Sequence, residues 1–445
     1  MPDQSISTTI EPQQHDPGVI QLQSFQNAFL DDARNVVSAE QPIQLSRKVV
    51  LKLLSCGFSF FVAGTMDGSL GPLIPYMLRS YNVGTSFISI IYAASFIGWL
   101  LAAATNSHML EFLDTGAILS IGAFLQLVSN LLRFWSPPFG LFATSFFMSS
   151  LGMAFQDSHS NTFVSTVNDA HRWLGFIHAM YALGALVSPF VATPIASSMH
   201  SKWSMFYLFL VGLGVINIVG VLLAFRESIR VLPRSLSASG DDQAPGRSVE
   251  ALRGIAKTLQ LRVVWILSLF FFFMLGVGIT AGGWVVEYLV DVRHGKLSEV
   301  GYTPAGLYGG IFLGRLLLAE PTHRFGERRM ILLYGVIMLG LQLIFWLVPN
   351  IIASATALSL LGFFFGPLFP IGVSVGTKLF PNSVKASALG LVFVMAQAGG
   401  SLFPSITGVI ASSAGVQVLQ PILVGLIVVM SITWVLVPKV SRRND

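Results

Sequence analysis

YAASFIGWLLAA occupies residues 92–103, and YGGIFLGRLLLA occupies residues 308–319. Set 216 residues apart, the two stretches match in place at Tyr92 and Tyr308, Phe96 and Phe312, Gly98 and Gly314, and Ala103 and Ala319, with two leucines between. A second correspondence lies at an offset of 215. YALGALVSPFVATPIASS (181–198) aligns with AQAGGSLFPSITGVIASS (396–413), placing Gly184 on Gly399 and Pro189 on Pro404. Two matches at nearly one offset read as a duplicated unit. In membrane chains such duplication places a ligand site at the interface of the halves.

The solvent of those halves follows from composition. The chain has 445 residues, 53% hydrophobic and 11% charged, with a mean hydropathy of +0.71. Soluble domains carry roughly 25% charged residues, so this chain lacks the polar surface to dissolve. Apolar stretches of spanning length, roughly 20 residues, fall near 49–78, 84–105, 113–135, 138–162, 173–197, 203–225, 263–290, 302–319, 329–348, 351–377, 386–411 and 416–438. The spacing predicts an all-α integral membrane protein of twelve transmembrane helices in two pseudo-symmetric six-helix bundles. Little chain is left for a catalytic domain, and the sequence has no phosphate-binding loop, HExxH, GxSxG or His/Cys cluster. Neither enzyme activity, cofactor nor metal is expected. Cys56 is the only cysteine, so no intramolecular disulfide can form.

Charge placement sets the expected orientation. With a cytoplasmic N-terminus, the inner segments hold Arg34, Arg47, Lys48, Arg172, seven basic residues of 226–262, Arg324, Arg328, Arg329, Lys378, Lys385, Lys439, Arg442 and Arg443, 19 in all. The outer loops hold five: Arg79, Arg133, Lys202, Arg293 and Lys296. That bias follows the positive-inside rule and puts both termini in the cytoplasm. The net charge of +5 is thus a topology signal, and no nucleic-acid partner is expected. The organisation reads as a disordered tail over 1–46, a bundle over 47–225, a Ser/Pro/Gly-rich cytoplasmic linker over 226–262 with a short interfacial helix near 248–260, a second bundle over 263–438, and a short tail over 439–445. The segment 1–46 lacks the basic-then-apolar pattern of a signal peptide.

Polar residues inside the spans are the functional candidates. Asp67 lies in the first span among Gly64, Gly68 and Gly71, and Asp157 lies in the fourth, in GMAFQDSHSNTFVS (152–165). A carboxylate at mid-bilayer costs about 2.5–3.5 kcal/mol on insertion scales, so it faces a cavity or a partner. Such a group can take a proton on one side and release it on the other. A structural hydrogen bond to a neighbouring helix is the competing role for each. Asn161 shares the helix face of Asp157, whereas His159 points elsewhere. Trp284, Glu287, Tyr288 and Asp291 form one stripe of the seventh span. Trp284 can stack on a sugar or aromatic ligand, or anchor at the interface. Gln397, Gln126 and Asn130 are weaker candidates, suited to interhelical hydrogen bonds.

The eighth span runs into GRLLLAEPTHRFGERR (314–329). This resembles the loop motif of the major facilitator superfamily, here carried by Gly314, Glu320, Arg324, Gly326, Arg328 and Arg329 with extra residues after Glu320. The resemblance covers about 47–438 and implies a charge-paired turn that latches one conformational state. The matching N-half segment, NSHMLEFLD (106–114), keeps Glu111 but lacks the Gly and the Arg pair. An acidic residue in the first helix and DSHSNTFV in the fourth look like the fucose–proton symporter branch and its fungal relatives. By that resemblance Asp67 and Asp157 carry coupling and sugar recognition, and IHAMYALGA supplies His178 and Tyr181 at the substrate position. Tyr stands there in place of a polar amide, a departure that bears on fucose itself.

Three functions compete. The first is a proton-coupled importer of a sugar-like or small polar solute. The second is an exporter of a small metabolite or drug run as a proton antiporter. GALVSP (184–189) approaches the antiporter Gly-x-x-x-Gly-Pro motif, with Ser188 replacing the second Gly, although the fourth span lacks the arginine common in antiporters. The third is a nutrient receptor on the same fold, for which the C-tail KVSRRND is short. The expected partners are a small-molecule substrate, protons and the lipid bilayer, the chain acting as a monomer in the plasma membrane or in a vacuolar or other internal membrane.

Overall fold

The computed structural model describes residues 43–198, 200–230, 256–381 and 384–438. The expectations for 1–42, most of the linker and the C-tail lie outside those residues. The long helices are α1 (Arg47–Tyr81), α2 (Thr85–Phe112), α3 (Thr115–Arg133), α4 (Phe139–Ser165), α5 (Ala170–Ser198), α6 (Phe206–Ala224), α7 (Arg262–Asp291), α8 (Thr303–Leu317) and α9 (Glu327–Leu347). They continue with α10, in two pieces Ile351–Phe365 and Leu368–Leu379, then α11 (Lys385–Ala414) and α12 (Leu419–Val435). Eleven are long and apolar enough to cross a bilayer. The twelfth, α8, has 15 residues, about 22 Å at 1.5 Å per residue, and a short helix, Ala319–Phe325, continues it.

Helix ends follow local chemistry. Ser46, Asp114 and Asn350 cap α1, α3 and α10, each side chain accepting from a first-turn backbone N–H. Asn82, at φ 51°, closes α1, and Gly415, at φ 78°, closes α11. Within α10, Pro367 has no N–H to offer the Phe363 carbonyl, and the helix breaks at Gly366–Pro367. Upstream of α1, Ile43 is already fixed. Its N–H donates to the Thr166 carbonyl at 2.9 Å, and its own carbonyl accepts from Asn168 at 3.1 Å.

The duplication is visible as repeated packing. α1 lies on α5, α2 on α4, and α3 on α6; in the second half α7 lies on α11, α8 on α10, and α9 on α12. The paired glycines make equivalent contacts. A Cβ on Gly98 would sit 2.5 Å from the Phe147 carbonyl oxygen of α4, and one on Gly314 would strike the Phe363 carbonyl of α10. Gly184 faces the Phe61 carbonyl of α1 as Gly399 faces the Phe272 carbonyl of α7. Without side chains the backbones close to a distance that dispersion rewards, which is how helices associate where no water drives them together.

The halves meet on the side away from the termini. Ser89 donates to the Ser405 carbonyl at 2.8 Å, Ser405 returns a bond to the Ser89 carbonyl at 3.2 Å, and Thr85 donates to the Gly408 carbonyl at 2.8 Å. Gly71 lies against the Gly282 carbonyl where α1 crosses α7, and the Phe190 and Tyr302 rings are 5.8 Å apart. Toward the termini, no hydrogen bond or ion pair joins α4 to α10 among the described residues.

One charge sits where the sequence reading did not put it. Arg133, assigned above to an outer loop, is the last residue of α3 and is 1% exposed. Its guanidinium donates to Ser145 Oγ, the Ser145 carbonyl and Ser149 Oγ at 2.6–2.9 Å, and lies 3.6 Å from the centre of the Phe146 ring. Hydrogen bonds and a ring face take the place of water around the cation.

Candidate functional site between the bundles

The polar centre begins with α1 against α5. Gly64 sits under the Tyr181 carbonyl, and Gly68 under that of Ala185, so the two helices touch backbone to backbone on either side of Asp67. At that crossing the Tyr181 hydroxyl donates to Asp67 Oδ2 at 2.6 Å. Both side chains keep some accessible surface. Tyr92 of α2, Tyr308 of α8 and Arg133 of α3 lie within electrostatic reach of the same carboxylate. The hydroxyls of Tyr308 and Tyr92 rest on Gly282 and Gly283 of α7, where any side chain would displace them. The Tyr92 hydroxyl is buried with no hydrogen-bond partner among the described residues. Groups of both halves thus lie within electrostatic reach of one carboxylate.

A second group adjoins Tyr181, one turn away along α5. The His178 ring lies edge-on to Phe60 at 5.2 Å and 5.8 Å from Phe369 of α10. The His178 backbone carbonyl accepts from Arg315 Nη1 of α8 at 3.0 Å, a hydrogen bond across the bundle interface.

Asp157 is half-buried in α4, and no contact joins it to Asp67 among the described residues. Asn161 turns its amide back to the Asp157 backbone carbonyl at 3.0 Å. His159 bonds Asn106 of α2 at 2.7 Å, away from Asp157. Next to them Gln156 accepts from Gln126 at 2.8 Å and from Asn217 at 3.2 Å, and Asn217 in turn accepts from Ser59 at 2.8 Å. Four helices are joined by this buried network, with Gln126 in the interhelical role expected of it. Trp284 has no exposed surface. Its indole donates to the Pro404 carbonyl at 3.0 Å, which holds the ring between α7 and α11. Gln397 is half-buried. Among the described residues, no three His, Cys, Asp or Glu side chains converge as a metal site would require.

The loop motif divides into three parts. Gly314 is a packing residue of α8. Glu320 accepts from Arg324 Nε at 2.6 Å, one turn apart and exposed. Gly326 turns the chain at φ 100°, after which Arg328 donates to the Val435 carbonyl at 2.6 Å, and Arg329 is exposed. The carboxylate that ties this turn to α10 is Glu327, which accepts from Lys378 Nζ at 2.7 and 2.9 Å and from Ser374 at 3.3 Å. Glu327 escaped the sequence reading although it stands inside GERR. Tyr92 and Tyr308 occupy equivalent repeat positions, and their recurrence at one offset is the signal that could have found them. Arg315 falls inside the repeated stretch 308–319, where nothing in the sequence marked it out.

Two six-helix halves with a charged and aromatic centre between them define a multi-pass membrane transporter. The sequence pattern of the Major Facilitator Superfamily matches residues 56–320 and 317–445, and the chain belongs to that family. It is therefore a secondary transporter and not an enzyme. Bypass of stop codon protein 6 of Saccharomyces cerevisiae is 24% identical over 427 residues, which cover 89% of this chain and 84% of the relative. The glucose/mannose transporter GlcP of Bacillus subtilis is 19% identical over 353 residues, 78% of this chain and 85% of the relative. Among solved structures, the E. coli fucose:proton symporter FucP superposes with a TM-score of 0.61 at 17% identity, over 88% of this chain and 100% of that one.

Proposed function

We propose that the chain moves a sugar-like or other small organic solute together with a proton, by alternating access between the two bundles. The observation that supports this most is the Tyr181–Asp67 hydrogen bond at the bundle interface. Asp67 is a carboxylate deep in the molecule, yet still accessible; it bonds Tyr181 of its own half and lies within electrostatic reach of Tyr308 of the other. Its proton occupancy is coupled to how the halves meet. Likeness to a glucose/mannose transporter and to a fucose:proton symporter agrees with a hydroxylated solute. Asp67 is the proton carrier in this reading. Asp157 is the secondary candidate, with Asn161, His178, Tyr181 and Gln397 as the candidate solute-facing groups, whereas Trp284 is sealed between α7 and α11.

The test is uptake of a panel of labelled solutes by a transport-deficient host, with and without an imposed proton gradient. Gradient-dependent accumulation supports the reading, and gradient-driven efflux would make the chain an antiporter.

The same reading places both termini and the 226–262 segment in the cytoplasm, with the Ser89–Ser405 side outside. A glycosylation acceptor placed in the 292–296 loop is then modified and one in 235–247 is not. Modification of the central segment would reverse the orientation.

A further inference from the structure

Arg315 is the cation of the interior whose role the fold does not explain. It lies in α8 next to Gly314 and retains accessible surface. Its hydrogen bonds among the described residues go to two backbone carbonyls, His178 from Nη1 at 3.0 Å and Gly366 from Nε at 3.4 Å. No carboxylate pairs with it among the described residues. A guanidinium has five N–H donors in a planar fork. Two of them are used, and three remain, one on Nη1 and two on Nη2.

The contrast with Arg133 is informative. That side chain is sealed, spent on Ser145, Ser149 and the Phe146 ring. Arg315 is open. Nor does helix packing require a cation there. The repeat puts Trp99 at the corresponding position of α2, beside Gly98, whose approach to the Phe147 carbonyl matches that of Gly314 to Phe363. A cation held deep in a bilayer protein by neutral carbonyls alone is expensive, and a paired anion lowers that cost.

We propose that Arg315 is the anchor for a carboxylate on the transported solute, so that the natural cargo is an organic acid. The remaining Nη1 and Nη2 donors can take the oxygens of a carboxylate in charge-assisted hydrogen bonds. Its position on α8, bonded to α5, places the cargo where both bundles touch it. Pro370, four residues on, has no N–H to give the Gly366 carbonyl, which leaves that carbonyl available to steady the fork. The His178, Phe60 and Phe369 rings beside it offer an apolar wall for the carbon skeleton. This inference rests on the transporter reading of the same site and names its substrate class.

The test uses the purified full-length chain with organic acids each paired with a neutral analogue, such as gluconate with glucose and benzoate with benzyl alcohol. Ligand-induced thermal shift reads binding, and counterflow in proteoliposomes reads transport. The expected result is that the best ligand carries a carboxylate and that Arg315→Gln weakens its binding at least tenfold. Arg315→Lys, which keeps the charge and loses the fork, should retain intermediate affinity. The neutral analogues should be indifferent to both substitutions. A neutral compound as best ligand, no stabilisation by any acid, or equal weakening of acids and neutral analogues would each overturn the proposal. If Arg315→Gln does not fold, the wild-type acid-to-neutral ratio and the Lys variant decide. Carboxylate selectivity without gradient-driven accumulation would remove proton coupling and leave the anchor standing. Gradient-driven accumulation of a neutral sugar by Arg315→Gln would do the reverse.

Discussion

The Tyr181 hydroxyl and the Asp67 carboxylate are 2.6 Å apart, at a crossing of α1 and α5 where Gly64 and Gly184 let the two backbones touch. Two groups in one hydrogen bond act as a unit, and their substitutions do not add. Tyr181→Phe and Asp67→Asn should each slow solute exchange. The double variant should be no slower than the worse single one, as read by counterflow rates in proteoliposomes. Additive losses would mean that the bond is incidental.

The contact between α2 and α11 has the character of a closed gate. Ser89 and Ser405 exchange hydrogen bonds with each other's carbonyls, and Gly408 leaves no room above Ser89 and Trp284. A Ser89→Cys/Ser405→Cys pair, in a Cys56→Ser background, should cross-link on oxidation. Turnover should fall at least tenfold and return on reduction. Undiminished turnover in the oxidised, cross-linked protein would show that this side need not open.

Packing gives a prediction about stability. Gly314→Val puts a branched side chain into the Phe363 carbonyl, whereas Gly340 has nothing within 4 Å of where its Cβ would lie. Overpacking costs about 1–3 kcal/mol and more where backbone must move. Gly314→Val should therefore lower the melting temperature or abolish expression, and Gly340→Val should leave both near wild type. Fluorescence-detected size exclusion after heating measures the difference.

Much of this architecture was legible because bilayer physics leaves few options. Twelve apolar runs, one repeat offset and a basic bias suffice to write down the helices, and every backbone polar group must then be satisfied within them. The repeat also located the close approaches, since Gly98 and Gly314 make the same contact. The site was legible only in part. Asp67 and Tyr181 were singled out separately, but 114 residues separate them in sequence, and nothing in either stretch states that they bond. Periodicity placed Trp284 on a candidate face without revealing that Pro404 holds its indole. Arg133 looked like a loop residue because it ends a helix, and only the placement of Ser145, Ser149 and Phe146 on α4 shows it to be interior.

The α8–α9 turn makes a finer distinction. Arg324–Glu320 is an exposed pair within one helical turn, of a kind worth about 0.3–0.5 kcal/mol. Glu327, 16% exposed at its side chain, joins Lys378 and Ser374 of α10. Glu327→Gln should slow transport more than Arg324→Ala, with both variants folded by size exclusion. The opposite ranking would return the latch to Arg324.

The most direct measurement concerns Asp67→Asn, which imitates the permanently protonated carboxylate. Counterflow exchanges solute without net proton release, whereas accumulation against a gradient requires release on one side. With any solute the wild-type chain accumulates, proteoliposomes carrying Asp67→Asn should keep counterflow within a few-fold of wild type and lose concentrative uptake, with a flat pH profile. Wild-type accumulation by Asp67→Asn, or its transfer to Asp157→Asn as the variant that exchanges but cannot concentrate, would contradict the account.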